Sequence, residues 1–257
     1  MSTDAPGPEE YSRALLAKLN MSQPIDMAAL AEACGLRLRE VKSTGFDGAL
    51  VQVPGVEGGI VAIREGIEER RKRFTIAHEI GHYVLHGHGL ERQACKEAEI
   101  EAWSDEASNQ ERDANLFASE LLLPLEEIEP IVRQKGTSLE TARFISEKFE
   151  TSLTAAALRC VEASDDTCAL VVSFDGVVSW FKGNNFWKYF ISVHCALGPG
   201  TLAKQLFSGG KGQKSGIVSA MAWTGSGKML PDAEIVEDSL LLPRYKTVLS
   251  LLIAVGP

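Results

Sequence analysis

Apolar residues recur at helical spacing in the first part of the chain and then at strand-like spacing. Over 9–20, and again from Asp26 to Gly35, apolar side chains return every three or four residues, which predicts two short helices. The runs 48–53 and 59–63 are short and apolar with turn residues between them, and they predict a pair of strands. The chain is therefore expected to begin with helices and to continue into a small antiparallel sheet.

Helical spacing returns in three longer segments. Residues 69–86 predict one long helix that is basic at its start and apolar afterwards. Residues 110–122 predict another helix, which Pro124 ends. Residues 137–160 predict two helices joined by a short turn, the outline of a helix-turn-helix. Arg159 is the only basic residue in the second of these helices, so the segment is not expected to bind DNA.

The part of the chain after Ser164 is rich in predicted strands. Asp175 and Gly176 form a dipeptide that is typical of a two-residue hairpin turn, and apolar runs lie on both sides of it. The predicted strands are 168–174, 177–181, 217–223 and 247–255. This composition predicts a second, smaller and more β-rich domain.

The charge balance and the cysteines narrow the class of protein. The net charge is −9, and all of the acidic excess lies in residues 1–163, which argues against nucleic acid as the main partner. The first residues do not resemble a signal peptide, and the sequence has no apolar run long enough to cross a membrane, so no membrane partner is expected. Five scattered cysteines without a CxxC pair favour reduced thiols and a cytoplasmic location.

The candidate chemistry lies in the segment RFTIAHEIGHYVLH, residues 73–86. His78 and His82 are four residues apart, so on a helix they share one face and can hold one metal ion. Glu79 lies beside that face and can take a proton from water without itself binding the metal. The expected ion is Zn²⁺, with Mn²⁺ and Fe²⁺ as alternatives, because similar nitrogen and oxygen sites also bind those ions.

A catalytic zinc site needs a third protein ligand, and three residues compete for this role. His86 continues the same helical face, but it lies about 12 Å along the axis from His78, at about 1.5 Å per residue, so both cannot reach one ion. His88 has the spacing of the HExxHxxGxxH motif, although Leu85 stands where that motif needs glycine. Glu111, on the second long helix, is favoured over both.

The residues around Glu111 support this preference. Asn115 lies four residues after Glu111 and therefore on the same helical face, where it can orient a ligating imidazole through its other ring nitrogen. Asp113 points away from that face. A glutamate ligand on a second helix, followed one turn later by an amide, is the layout of gluzincin-type sites.

The segments 73–86 and ERDANLFASELLLP, 111–124, together resemble the ImmA/IrrE family of bacterial metallopeptidases. The resemblance covers about residues 10–160. It implies that His78, His82 and Glu111 are the zinc ligands and that Glu79 is the catalytic base. It also implies a hydrolase that cleaves a helix-turn-helix repressor and so derepresses stress or mobile-element genes.

The predicted fold class is α+β, in three parts. Residues 1–124 are expected to form a zincin-like metallopeptidase domain with the HExxH helix and a small antiparallel sheet. Residues 125–163 form the helix-turn-helix-like segment. Residues 164–257 form a smaller mixed α/β, β-rich domain, which by resemblance to the radiation-response regulators is expected to be a sensor of GAF type.

Two further expectations concern the mechanism. Tyr83 and His86 are candidates to donate a hydrogen bond to the developing oxyanion. The strand at 59–63 is expected to present a free edge to which an extended peptide substrate can add. The competing hypothesis is a non-enzymatic regulator that binds and sequesters a repressor or toxin partner.

Overall fold

The chain divides into two compact units. The first comprises Met1–Pro124 and Glu147–Ser152, and the second comprises Leu125–Ser146 and Leu153–Pro257. The computed structural model of the protein describes residues 6–52, 58–86, 93–95, 109–224 and 233–255.

The first unit combines four strands with four helices among its described residues. In chain order these are α1 (Pro8–Leu19), α2 (Met27–Ala33), β1 (Leu36–Val41), β2 (Gly48–Val51), β3 (Gly59–Arg64), α3 (Glu69–His86), β4 (Gln93–Cys95) and α4 (Asn109–Leu122). The long predicted helix 69–86 is confirmed with the same bounds as α3.

The strands of this unit form one sheet in the order β1-β3-β2-β4. The predicted antiparallel pairing of β2 with β3 is confirmed, and β4 extends it on the other side of β2. Strand β1, which the sequence pattern did not indicate, pairs parallel to β3. The expectation that 59–63 has a free edge is therefore wrong, because β3 has a neighbour on each side.

Capping and burial explain how the first helices join this sheet. The Asp26 side chain accepts hydrogen bonds from the backbone N–H groups of Ala28 and Ala29, which satisfies donors at the start of α2. Gly35, just after α2, has φ of 76°, a conformation that glycine adopts without strain. The core is made of apolar side chains from both helices, the sheet, α3 and α4, including Leu30, Leu50, Val61, Ile80 and Phe117.

The second unit contains three helices followed by a five-stranded antiparallel sheet with short helical insertions. Its elements are α5 (Leu125–Lys135), α6 (Leu139–Lys148), α7 (Leu153–Glu162), β5 (Cys168–Phe174), β6 (Val177–Gly183), α8 (Leu202–Phe207), β7 (Gln213–Ser219), α9 (Met221–Thr224), β8 (Glu234–Leu242) and β9 (Thr247–Ala254). The strand order is β6-β5-β9-β8-β7.

The local sequence pattern predicted some elements of this unit correctly and one strand incorrectly. The hairpin at Asp175 and Gly176 is confirmed, since φ is 49° and 82° at these residues, as in a two-residue turn with left-handed backbone. The predicted strand 217–223 is wrong in its second half, because β7 ends at Ser219 and the chain then forms α9. The two helices predicted over 137–160 correspond to α6 and α7.

The architecture as a whole is α+β, as predicted. In the described ranges there is no helix with the length and apolar character that a membrane span requires.

Candidate metal centre

Helix α3 places two imidazoles side by side in the interior of the first unit. His78 is fully buried and His82 is 1% exposed, and their ring centroids lie 4.6 Å apart with edge-to-face geometry. Their Nε2 atoms are 3.1 Å apart. The predicted i, i+4 pair therefore brings two nitrogen ligands to one point, as the helical period requires.

Helix α4 brings a carboxylate to the same point. The two Glu111 oxygens lie 3.2 Å from the Nε2 atoms of His78 and His82, respectively. The Glu111 side chain is 15% exposed, so this corner of the donor group borders the solvent.

Gly81 explains how α4 comes so close to α3. A Cβ atom added at Gly81 would lie 3.0 Å from Phe117 Cδ1 and 3.2 Å from Ala114 Cα, both on α4. A side chain at this position would therefore press on the helix that carries Glu111. A glycine in the middle of the apolar part of a helix is the sequence signal for this close packing.

The three donor atoms fit a small metal ion. His78, His82 and Glu111 each offer one ligand atom, and these atoms lie within 4.8 Å of one another. In a tetrahedral zinc site with bonds of about 2.0–2.1 Å, neighbouring ligand atoms lie about 3.3 Å apart. The 3.1 Å between the two Nε2 atoms is close to such an edge, and each Nε2 atom lies 3.2 Å from a different oxygen of Glu111. Two nitrogens and one oxygen suit zinc and also manganese or iron.

The protonation states of these side chains suit the same ion. Burial lowers the pKa of His78, although hydrogen bonds with Glu111 and Asn115 oppose the shift. For Glu111, burial would raise the pKa, but the hydrogen bonds and charge interactions with His78 and His82 outweigh it and the pKa falls well below its usual range. A neutral imidazole and an ionised carboxylate are the forms that bind metal ions.

Asn115 lies one turn after Glu111, and its amide is close enough to His78 to oppose the lowering of the pKa of that imidazole. That this amide orients the imidazole through its other ring nitrogen stays a prediction.

Glu79 is fully buried on α3, between the two histidines in sequence. Its carboxylate lies against the first residue of β2, Gly48. Carboxylates are rarely buried to this degree without a specific role, and this one stands in the element that carries two of the three donor atoms.

The remaining candidates do not belong to the group of three donors or lie outside the described residues. Tyr83 packs against the apolar core of the first unit. The His86 ring centroid is 6.0 Å from that of His82, and His86 is not one of the three residues that converge. His88 lies outside the described residues.

An HExxH helix beside a glutamate from a second helix defines a zincin-like domain. Residues 31–161 match the family model Peptidase_M78, the IrrE N-terminal-like domain. The chain belongs to this family. No curated protein sequence matches the chain. A solved structure described as a Mycobacterium tuberculosis transcriptional regulator has a similar fold, with a TM-score of 0.62 and 12% identity over 96% of this chain and 76% of that chain.

Proposed function

We propose that this protein is a zinc-dependent endopeptidase that cleaves a helix-turn-helix repressor in the cytoplasm. The observation that carries the proposal is the convergence of ligand atoms from His78, His82 and Glu111 within 4.8 Å of one another, with the buried carboxylate of Glu79 on the helix of the two histidines. Membership of a peptidase family supports a hydrolytic role for this arrangement. Manganese or iron would fit the same donors.

In this proposal each side chain has a distinct task. The chemistry that a bound zinc ion supplies is Lewis acidity, which activates water and polarises the scissile carbonyl. Glu79 takes the proton from the attacking water and delivers it to the leaving amide nitrogen. Asn115 holds the His78 ring in a ligating orientation. Tyr83 and His86 are the candidate donors of a hydrogen bond to the developing oxyanion.

A repressor is the proposed substrate because the family resemblance points to transcription control, and cleavage would derepress stress or mobile-element genes. The similar solved structure is itself described as a transcriptional regulator. The free thiols of Cys34, Cys160, Cys168 and Cys195 suit the reducing cytoplasm. The C-terminal segment 164–257 is proposed as the sensor of the activating signal.

The test is to map new protein N-termini in cells that express the wild type, Glu79→Gln or Glu69→Gln. Glu69 is exposed at the start of α3 and provides a matched control for loss of a glutamate. We expect the wild type and Glu69→Gln to generate the same new N-terminus in a helix-turn-helix protein, and Glu79→Gln to generate none.

Two outcomes would overturn the proposal. If Glu79→Gln cleaves the protein as well as the wild type does, Glu79 is not the catalytic base. If the metal-loaded wild type binds a repressor or toxin partner and cleaves nothing, the protein is instead a sequestering regulator.

A further inference from the structure

Gly48 lies where strand β2 passes over helix α3, and its lack of a side chain is what makes room there. A Cβ atom at this position would lie 2.4 Å from Thr75 Cγ2 and 2.7 Å from Glu79 Oε1. Carbon atoms do not approach other heavy atoms this closely, so any other residue would force a neighbour to move.

The strand cannot be the part that moves. Gly48 is paired with Ile63 on β3 and with Cys95 on β4, so the ladder holds it from both sides. The preceding residue, Asp47, is 3% exposed and accepts hydrogen bonds from Arg64 at 2.7 Å and from Arg71 at 3.0 Å. Arg71 belongs to α3, so this carboxylate fixes the start of β2 to the helix that it crosses.

The Thr75 side chain also cannot move away easily from a Cβ atom at position 48. It is fully buried, and its branched side chain has few accessible rotamers on a helix. The Glu79 carboxylate is the far end of a longer side chain, and both its Oε1 and its Cγ, at 3.3 Å, lie next to the added atom. The most readily displaced group at this contact is therefore Glu79.

We propose that Gly48 is a positioning residue, which forms the recess that holds the Glu79 carboxylate in place for proton transfer. The catalytic part of this inference rests on the proposed function, in which Glu79 is the base. The existence of the recess does not, because it follows from the contacts of Gly48 alone.

The test uses the full chain with Thr75→Ala as the background, which removes the Cγ2 conflict and leaves Glu79 as the nearest obstacle. Into this background we introduce Gly48→Ala, Glu79→Ala or both, and measure thermal unfolding and zinc content. Gly45→Ala is the matched control, because no atom lies within 4 Å of a Cβ added there. Cleavage is measured on a peptide that spans the bond identified by N-terminus mapping.

We expect Gly48→Ala to lower Tm when Glu79 is present and to have no such effect when Glu79 is replaced by alanine. Zinc content should remain at the background level, because none of the three donor residues changes. The value of kcat should fall by about 100-fold with KM little altered, as for a catalytic group displaced by about 1 Å. Gly45→Ala should match the background in every measurement.

Two results would overturn the inference. If Gly48→Ala behaves like Gly45→Ala, there is no recess. If Gly48→Ala lowers Tm equally with and without Glu79, or lowers Tm without changing kcat, then Gly48 serves packing and does not position Glu79. If no variant, the wild type included, cleaves any protein while the Tm coupling is present, the recess is supported and the proposed function alone fails.

Discussion

Each unit of the molecule buries a group of polar side chains around a glutamate, and the two groups are built in opposite ways. In the first unit, the Nε2 atoms of His78 and His82 and the carboxylate of Glu111 converge on one point. In the second unit, the fully buried Glu237 of β8 is surrounded by hydrogen-bond donors.

The surroundings of Glu237 show what a satisfied buried carboxylate looks like. It accepts hydrogen bonds from the backbone N–H groups of Leu202 and Ala203 at 3.0 Å and 2.7 Å, from Trp223 Nε1 at 2.9 Å and from Ser239 Oγ at 2.7 Å. Such a network stabilises a fold, because every donor meets an acceptor. Two imidazoles and a carboxylate whose ligand atoms lie within 4.8 Å of one another can instead share a cation.

The largest expected effect is the loss of the metal from the first group. Glu111→Ala removes one of three donor atoms, so zinc content should fall from about one per chain to near zero, as measured by elemental analysis. His88→Ala is the control and should keep the metal. If Glu111→Ala keeps its zinc and His88→Ala loses it, the third ligand is His88. The contrast between the Glu111 group and the Glu237 group would then be wrong.

The next largest effect is expected from a substitution in the second group, and it should change the stability of the protein without changing its metal content. Glu237→Ala leaves the donors of Leu202, Ala203 and Trp223 buried without their acceptor, so the free energy of unfolding should fall by about 3 kcal/mol or more. Urea unfolding followed by tryptophan fluorescence measures this.

Glu234→Ala is the matched control for this change, because Glu234 is exposed at the start of the same strand. Metal content should be unaffected in both variants. A zinc-depleted Glu237→Ala protein that unfolds like the wild type would show that the two groups were assigned the wrong roles.

A smaller effect on the metal is expected from Asn115, the residue proposed to orient His78. Asn115→Ala should weaken zinc affinity by about 10–100-fold, the usual range for a residue that orients a ligand. Competition with a chromophoric chelator measures it, and Asp113→Ala on the opposite face of α4 should leave the affinity unchanged. An unchanged zinc affinity in Asn115→Ala would show that Asn115 does not orient the His78 ring.

The comparison also shows why one group could be predicted from sequence and the other could not. The positions of His78, Glu79 and His82 follow from helical periodicity within a single element, and the bounds of α3 were confirmed for the same reason. Glu111 required only one more helix with a polar residue at a matching position. Local period and residue chemistry were sufficient for these residues to be proposed together.

Long-range pairing produced three features that the sequence pattern missed. Strand β1 is recognisable only by its parallel partner β3, and that pairing removes the free edge expected at 59–63. Glu237 looks like one more strand residue until α8 and Trp223 are folded onto it. Gly48 is important only because β2 crosses α3 at Glu79, a contact between segments that no local signal connects.

The smallest expected effect concerns the hydroxyl groups that surround Glu237 in the second group. Ser239 and Ser250 are both fully buried with their hydroxyl oxygens 2.7 Å apart, and Ser239 also donates to Glu237, so Ser250 donates to Ser239. Ser239→Ala should lower the free energy of unfolding by about 1 kcal/mol. The double variant with Ser250→Ala should be no less stable than Ser239→Ala, because it also removes the stranded donor. Urea unfolding of Ser239→Ala, the double variant and Glu237→Ala tests this. If Ser239→Ala lowers the free energy of unfolding as much as Glu237→Ala does, then the hydroxyl, and not the carboxylate, stabilises the second group.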